Sequence, residues 1–465
     1  AYLPTGPVDL TSLFRAGANT VTIEILDSRL PVTWTQGYLL IQPRNPYARA
    51  LGGENPTILG GGSVDLTSGN YVRAETDLAA PAPGLSVSFT RTYNSFDPTS
   101  GAFGFGWSSP YDSNATTYAD GSVEIKLPSG RRALFVPDGG GGFAPESGVL
   151  DSLAASGGGY VFTQKTTLVE YHYDSGGRLT RIAEPHGNAV IIAYSGNAPA
   201  SLTDPAGRVY SFVTDGAGRI TQITDPSGAT LAYSYNAAGD LVSFTDRRGG
   251  TWTYTYGRPQ GSPLLLTITD PDGVPVVTNT YDSSGRLLTT TDGAGQTWTA
   301  AVLPDGRAAF RDANGGVVMI VTYDARFRVT AVEDADGNLT AYTYNDQDLL
   351  TSVTDPLGRT TTFTYDANGN LTSVTDPLGQ TTQISLNALD RPDQLVDALG
   401  AVTQFTYDGV DLTGLDIAGA INVTMEYDAQ GNLTRLSNGA GQFVEYTYDP
   451  QGNMTSATNA LGETE

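Results

Sequence analysis

Residues 365–379 read YDANGNLTSVTDPLG, residues 344–358 read YNDQDLLTSVTDPLG, and residues 427–433 repeat YDAQGNL. In the fullest phrase, Thr361-Thr362-Phe363-Thr364-Tyr365 alternates small polar and aromatic residues, the period-2 pattern of a half-buried strand. Asp366-Ala367-Asn368-Gly369 then supplies Asn-Gly, a pair that tolerates the positive φ angles of a tight hairpin turn. Leu371-Thr372-Ser373-Val374-Thr375 runs back as a second strand. Asp376-Pro377-Leu378-Gly379 closes the phrase, with Asp first, Pro pre-setting φ and Gly last, as a type I turn prefers. Each phrase is one two-stranded hairpin plus a turn to the next. Leu371 and Val374 lie three apart and would face opposite sides of a regular strand; a bulge, or a sheet apolar on both faces, reconciles them.

Aligned on the tyrosine slot, the phrases begin at Tyr173, Tyr194, Thr214, Tyr235, Tyr256, Tyr281, Val302, Tyr323, Tyr344, Tyr365, Leu386, Tyr407, Tyr427 and Tyr448. Nearly every step is 21 residues, and one step of 25 contains the loop Pro259-Gln260-Gly261-Ser262-Pro263. A fixed period in this range means stacked supersecondary units, each unable to bury its apolar face alone. Tyr235, Tyr281, Tyr323, Tyr344, Tyr365, Tyr407, Tyr427 and Tyr448, with Asp366, Gly369, Asp376, Pro377 and Gly379, are therefore read as structural repeat positions. About 28 strands at roughly 4.8 Å each make a strip on the order of 130 Å long and about 20 Å wide. A twisted sheet of that length cannot lie flat, so the expected fold is all-β: a continuous, spiralling antiparallel sheet of hairpins.

Composition narrows function. The 465 residues carry a net charge of −24, which argues against a nucleic-acid partner held on a basic patch. Lys126 and Lys165 are the only lysines, so a Schiff-base mechanism or a lysine isopeptide staple is not expected. Cysteine is absent, which excludes disulfides and thiolate metal sites. No apolar run reaches the roughly 18 residues that span a bilayer. The chain begins without Met and stops at Gly462-Glu463-Thr464-Glu465 within a repeat phrase, so it reads as a stretch of a larger protein.

Candidate sites are weighed against turn chemistry. Asp334-Ala335-Asp336-Gly337-Asn338 looks like the start of a calcium loop, but the twelfth position holds Asn345 where a bidentate carboxylate is needed. The turn aspartates Asp174, Asp282, Asp324, Asp366, Asp408, Asp428 and Asp449 are read as Asx-turn acceptors. His172 and His186 are the only histidines, and His186 in Glu184-Pro185-His186-Gly187 reads as a solvated turn residue. Gly60-Gly61-Gly62 and Gly139-Gly140-Gly141-Gly142 read as loops, and the sequons at Asn370 and Asn432 arise from the repeat itself. Stacked rings such as Tyr342/Tyr344, Phe363/Tyr365, Phe405/Tyr407 and Tyr446/Tyr448 suggest an aromatic ladder across strands. No cofactor and no enzymatic motif is expected; diffuse binding of calcium by the acidic surface is the most that composition allows.

From Ser63 onward the chain resembles the bacterial Rhs/YD-repeat proteins. The resemblance is carried by Val64-Asp65-Leu66-Thr67-Ser68-Gly69-Asn70, Thr76-Asp77-Leu78, Arg91-Thr92-Tyr93-Asn94-Ser95 and Gly104-Phe105-Gly106-Trp107-Ser108, and then by the 21-residue phrases. It implies a lead-in segment at 63–150 followed by YD repeats at 151–465. Ahead of these, residues 1–44 look like the C-terminal part of a β-sandwich or jelly-roll-like module, and 45–62 a linker. In that family, which includes toxin-complex shell subunits and teneurin barrels, the repeats wind into a hollow β-shell. The Arg-Tyr-Asp-Pro…Gly-Arg-Phe plug expected at the far end, with a self-cleavage Asp-Pro-x-Gly segment distinct from the repeat turns, is not found here. The resemblance implies a non-enzymatic, exported structural shell, extracellular or at the cell surface, whose partners are other parts of its own chain, enclosed cargo such as a toxin domain, or neighbouring copies. An extracellular fibre or adhesin that self-assembles or binds surface glycans is the alternative.

Overall fold

The hairpin predicted from the quoted phrase is formed by strands Thr360–Tyr365 and Leu371–Thr375. Between them the Asp366 amide donates to the Asn370 carbonyl and the Gly369 amide to the Asp366 carbonyl. Gly369 sits at φ +80°, where an L side chain costs roughly 1–2 kcal/mol and glycine almost nothing. Tyr365 lies opposite Leu371 but Thr364 lies opposite Ser373, so Thr372 is an extra residue, a β-bulge. That one residue turns Leu371 and Val374 to the same face, and both are buried. The same shift recurs at Tyr235, Tyr281, Tyr323, Tyr344, Tyr407, Tyr427 and Tyr448.

This computed structural model describes residues 33–35, 38–40, 57–59 and 62–464, apart from 98, 128–130, 259–261 and 418–420. Thirty strands, from Ser152–Ser156 to Met454–Asn459, form one sheet in which each strand pairs antiparallel with its sequence neighbours. Among the described residues all regular structure is strand. The all-β continuous hairpin sheet is therefore the observed architecture.

The sheet winds. Lys165 Nζ donates to Asp390 Oδ2 at 2.8 Å, and His186 Nε2 meets Asp411 Oδ1 at 2.8 Å, each pair 225 residues apart in sequence. In a flat strip those hairpins would be on the order of 100 Å apart. The accumulated right-handed twist of the intervening strands brings the later hairpins back beside the earlier ones.

Residues 57–59 and 62–145 make a five-stranded sheet, a four-stranded sheet and a small two-stranded one, with Asn70–Ala80 and Val87–Asn94 the longest strands. One buried core joins Val64, Tyr71, Phe89, Tyr93 and Trp107 of this lead-in to Phe162, Leu202, Tyr233, Tyr254 and Phe310 of the ribbon. A second, with Leu371, Phe405, Met425, Leu436 and Val444, lies within the later ribbon. The opposite face is wet and carries hydroxyl pairs: Thr343 with Ser352, Thr364 with Ser373 and Thr447 with Ser456 lie 2.6, 2.7 and 2.8 Å apart. The threonines thus supply β-propensity and cross-strand bonds on the solvent side.

The sandwich module read at 1–44 lies outside the described residues except for Thr33–Thr35 and Tyr38–Leu40, which pair antiparallel. Within 45–62, Thr57–Leu59 pairs with Gly62–Asp65.

Candidate functional site

In most phrases the tyrosine is a stitch between hairpins, whereas the Tyr173 and Tyr256 hydroxyls bond Ser113 and Trp107 of the lead-in. The ladder from Leu350–Thr354 to the next hairpin ends at Ser352 opposite Thr362, leaving Leu350 beyond it. Tyr365 reaches across this gap, and its hydroxyl donates to the Leu350 carbonyl at 2.7 Å. The same bond joins Tyr194 to Leu179, Tyr235 to Ile220, Tyr344 to Val329, Tyr407 to Pro392 and Tyr448 to Leu433, each the first residue of the preceding return strand, and Tyr427 to Leu412, the second residue of Asp411–Ile417. Tyr281 bonds the Leu265 carbonyl, and Tyr323 instead stacks on Phe327. Burial pushes the Tyr365 phenol well above its ordinary range, so the donor proton stays in place. Successive slot tyrosines are two strands apart, about 10 Å; the stitch is a hydroxyl-to-carbonyl bond rather than the ring-on-ring ladder suggested by the sequence. Tyr365→Phe removes one such donor and will lower the denaturation free energy by about 1 kcal/mol, read from urea melts.

The aspartate organises the turn. Asp366 Oδ1 accepts from the amides of Asn368 and Asn370 at 2.9 Å each, and its Oδ2 accepts from Asn370 Nδ2. At three turns an arginine replaces that asparagine and serves both neighbours: Arg178, Arg219 and Arg328 pair with Asp174, Asp215 and Asp324 and lie over the rings of Tyr194, Tyr235 and Tyr344. In the second turn of the phrase, Asp376 Oδ1 accepts from the amides of Leu378 and Gln380, and Gly379, after Pro377, takes φ +79°. Asp334 has the same arrangement, accepting from Asp336 and Asn338. The Asn370 side chain is buried in its turn, bonded to Asp366.

The ribbon's two edges differ. On the edge formed by Tyr-Asp turns, a methyl added to the glycine would press on a neighbour at five positions, the Ala115 carbonyl at Gly177, Arg219 and Phe105 at Gly239, Leu150 at Gly369, His186 at Gly431 and Pro83 at Gly452, but not at Gly196, Gly218, Gly285, Gly306 or Gly409. The lead-in covers this edge along the first winding, with backbone bonds from Ala115 to Gly177, Ile220 to Ala102 and Leu287 to Gly69. On the Asp-Pro edge, Gly228, Gly249, Gly273, Gly295, Gly315, Gly337, Gly358, Gly379, Gly400, Gly441 and Gly462 have open space there. The lead-in thus covers the starting rim, where exposed turns would otherwise be free to associate.

Along the second winding the Tyr-Asp edge rests on the Asp-Pro edge of the first. Lys165 Nζ binds Asp390 and the Asn368 carbonyl, Asn188 Nδ2 donates to the Gln430 carbonyl, and Ser147 Oγ to the Asp346 carbonyl. Asp348 and Asp390 hold positive φ (63° and 57°) where glycine is usual, and both are ion-paired, Asp348 with Arg326 and Arg328 and Asp390 with Lys165. The local strain is thus offset by contacts that fix the turns on both sides.

His186 sits in this seam rather than in solvent. Its Nδ1 bonds Glu184 at 2.7 Å and its Nε2 bonds Asp411 at 2.8 Å across the windings. Hydrogen bonds to Asp411 and Glu184, outweighing burial, push the imidazole up to about 10. Glu184 is held below the usual carboxylate range, because the bonds from His186 and two amides outweigh its desolvation. An unfolded histidine titrates near 6.5, so the histidine's contribution is complete below that pH and is lost as pH rises through about 10. Denaturation midpoints will therefore fall between pH 7 and 9, and His186→Gln will flatten that slope. The other histidine, His172, pairs with Glu170 on the same strand.

A deeply enclosed charge is Arg91, in the lead-in strand Val87–Asn94. It donates to Asp77 through Nε at 2.6 Å and Nη2 at 2.8 Å, with side-chain exposures of 1% and 2%. Tyr233 also donates to Asp77, Arg91 Nη2 meets the Tyr254 hydroxyl, and the guanidinium lies 4.9 Å from the ring centres of both Trp107 and Phe244. Tyr93, next but one, donates to the Pro263 carbonyl and accepts from the Leu265 amide. These groups pin the lead-in to the ribbon. Among the described residues no group of three His, Cys, Asp or Glu is placed to hold a metal.

Comparisons follow this division of the chain. The Teneurin YD-shell family model matches residues 160–298, the RHS Repeat model matches 323–356, 344–382 and 427–464, and a domain of unknown function, DUF6531, matches 61–135. Among curated proteins, the tRNA nuclease WapA of Bacillus subtilis strain 168 is 27% identical over 134 residues, and the tRNA3(Ser)-specific nuclease WapA of Bacillus spizizenii is 26% identical over the same length. Each match covers 29% of this chain and 6% of the relative. Among solved structures, that of TcdB2-TccC3-Cdc42 aligns with 84% of this chain and 26% of its own at 12% identity, with a TM-score of 0.45. TcdB2-TccC3 without its hypervariable C-terminal region gives 14% identity, 84% and 23% coverage and a TM-score of 0.39. The family models together take in more than half of the chain, and they match the lead-in and the winding hairpins just described: the chain belongs to the Rhs/YD-repeat family.

Proposed function

We propose that this chain is wall, not catalyst: a stretch of an exported β-shell whose windings shield a cargo such as a toxin domain. The observation that carries the reading is the seam, because direct bonds between hairpins 225 residues apart make successive windings a closed surface rather than a loose ribbon. The covered starting rim supports it too, since a container needs one end sealed. The described face packed by the lead-in is apolar and the opposite face is threonine-rich, as a wall with a wet exterior requires. Electron microscopy of the full-length protein from the producing cells tests this. A hollow particle, with protease-resistant material inside, is expected. A solid filament with a regular axial repeat would replace this reading with that of a fibre or adhesin.

A further inference from the structure

Lys126 is one of two lysines in the chain, and it is buried. It closes the strand Val123–Lys126 of the four-stranded sheet. Its Nζ lies 2.7 Å from Oδ2 of Asp97, which follows the strand Val87–Asn94 of the five-stranded sheet. The two side chains are 8% and 6% exposed. The carboxylate is gripped on its other oxygen: Thr99 donates to Asp97 Oδ1 from its amide at 3.0 Å and from its hydroxyl at 2.6 Å. Thr99 Oγ1 also accepts from Lys126 Nζ at 2.6 Å. A third acid, Asp112, stands beside this pair. A methyl at Gly101 would lie 3.3 Å from Asp112 Oδ2, which accepts from the Ser109 amide, and the neighbouring Ser113 Oγ donates to the Lys126 carbonyl. Burial, against the pull of Lys126, pushes the Asp112 carboxyl up to about 6.

We propose that Lys126 and Asp97 join in an intramolecular isopeptide bond, Nζ to Cγ, with Asp112 carrying the proton. Two lysines in 465 residues make such a staple unexpected by number; what argues for it is the placement of this one. Within the pair a proton passes from Nζ to Oδ2, and the freed lone pair attacks Cγ. Negative charge then develops on Oδ1, where the Thr99 amide and hydroxyl already point, the arrangement that stabilises a tetrahedral intermediate. Asp112 protonates Oδ2, the Cγ–Oδ2 bond breaks and one water leaves; the nitrogen then returns a proton to Asp112. The sum is an ammonium and a carboxylate giving an amide and water, with no other reactant. Held together in a dry site, the two groups have the effective concentration that amide formation between separate molecules lacks. The product also removes two buried charges, whose desolvation offsets much of the attraction in the ion pair. Lys165 is the contrast: its partner Asp390 is 37% exposed, and water keeps that pair ionic. The bond ties the five-stranded sheet to the four-stranded one in a chain that has no cysteine for a disulfide.

Tryptic digestion of the denatured full-length protein, read by mass spectrometry, tests the bond. Between Arg91 and Arg131 the only trypsin site is Lys126. A linked lysine is not cleaved, so the expected product is peptide 92–131, lighter than its sequence mass by one water, with no fragment ions from single breaks between 97 and 126. Cleavage at Lys165 is the internal control. Free peptide 92–126 at full mass overturns the proposal. So does a loss of water that leaves Lys126 cleavable, which is what a succinimide at an aspartate would give. In pulse-labelled protein, Asp112→Asn, checked for native tryptophan fluorescence, should slow linking about a hundredfold or more. Linking of that variant at the wild-type rate overturns the proton role, and the wild-type digest decides the bond whatever the variant does. The result is independent of whether the windings enclose a cavity, since a fibre built on the same lead-in would carry the same bond.

Discussion

Arg91→Met will cost about 3–5 kcal/mol, the loss expected when one member of a buried ion pair is removed and the other stays behind. Asp77 would be left with the Tyr233 hydroxyl as its remaining bonded partner among the contacts described above, in a site that Trp107, Phe244 and Tyr254 keep dry. The methionine retains the aliphatic volume, so the effect reads the charge more than a cavity. The contrast is with Arg91→Met combined with Asp77→Leu. That double variant leaves no orphaned charge and should recover most of the loss, since apolar replacements of buried pairs are often neutral or better. Guanidinium denaturation followed by tryptophan fluorescence, with limited proteolysis between residues 63 and 150, measures both. Equal stability of the single and double variants would mean that the pair does not anchor the lead-in.

Gly177→Ala is the second large effect. Gly177 holds φ +78°, which alone costs alanine roughly 1–2 kcal/mol. In addition the new methyl would lie 2.0 Å from the Ala115 carbonyl oxygen, a backbone atom with no rotamer to yield, and would disrupt the bond from the Ala115 amide to the Gly177 carbonyl at 2.9 Å. A total of about 3 kcal/mol or more is expected, together with release of the Asn114–Thr117 strand to proteases. Gly379→Ala is the matched control, because its φ is +79° and its surroundings are open. It should lose only the conformational part. If the two variants lose the same amount, contact between lead-in and ribbon rim does not stabilise the fold.

Much of this architecture is legible in contiguous residues. The Asn-Gly and Asp-Pro-x-Gly turns, the alternation before each tyrosine and the Leu-to-Val spacing after it specify hairpins, and the misfit between Leu371 and Val374 asks for a bulge or a sheet apolar on both faces, of which the structure has the bulge. Other features were not legible. The tyrosine's partner is a carbonyl 15 residues earlier, left outside the ladder by the bulge, and composition alone suggested ring stacking instead. His186 looks like one more solvated turn residue because nothing near it in sequence foretells Asp411.

The sequence by itself determined the unit and its period, because a turn's φ requirements and a strand's two faces are settled within five or six residues. Only the tertiary structure decided which rim is covered, which aspartates face cations and where Arg91 is enclosed. The reason is cumulative. Each strand adds a modest twist, and the meeting of Lys165 with Asp390 depends on the sum over some twenty of them. A small change in the average angle would shift every partner across the seam while leaving each hairpin as it is.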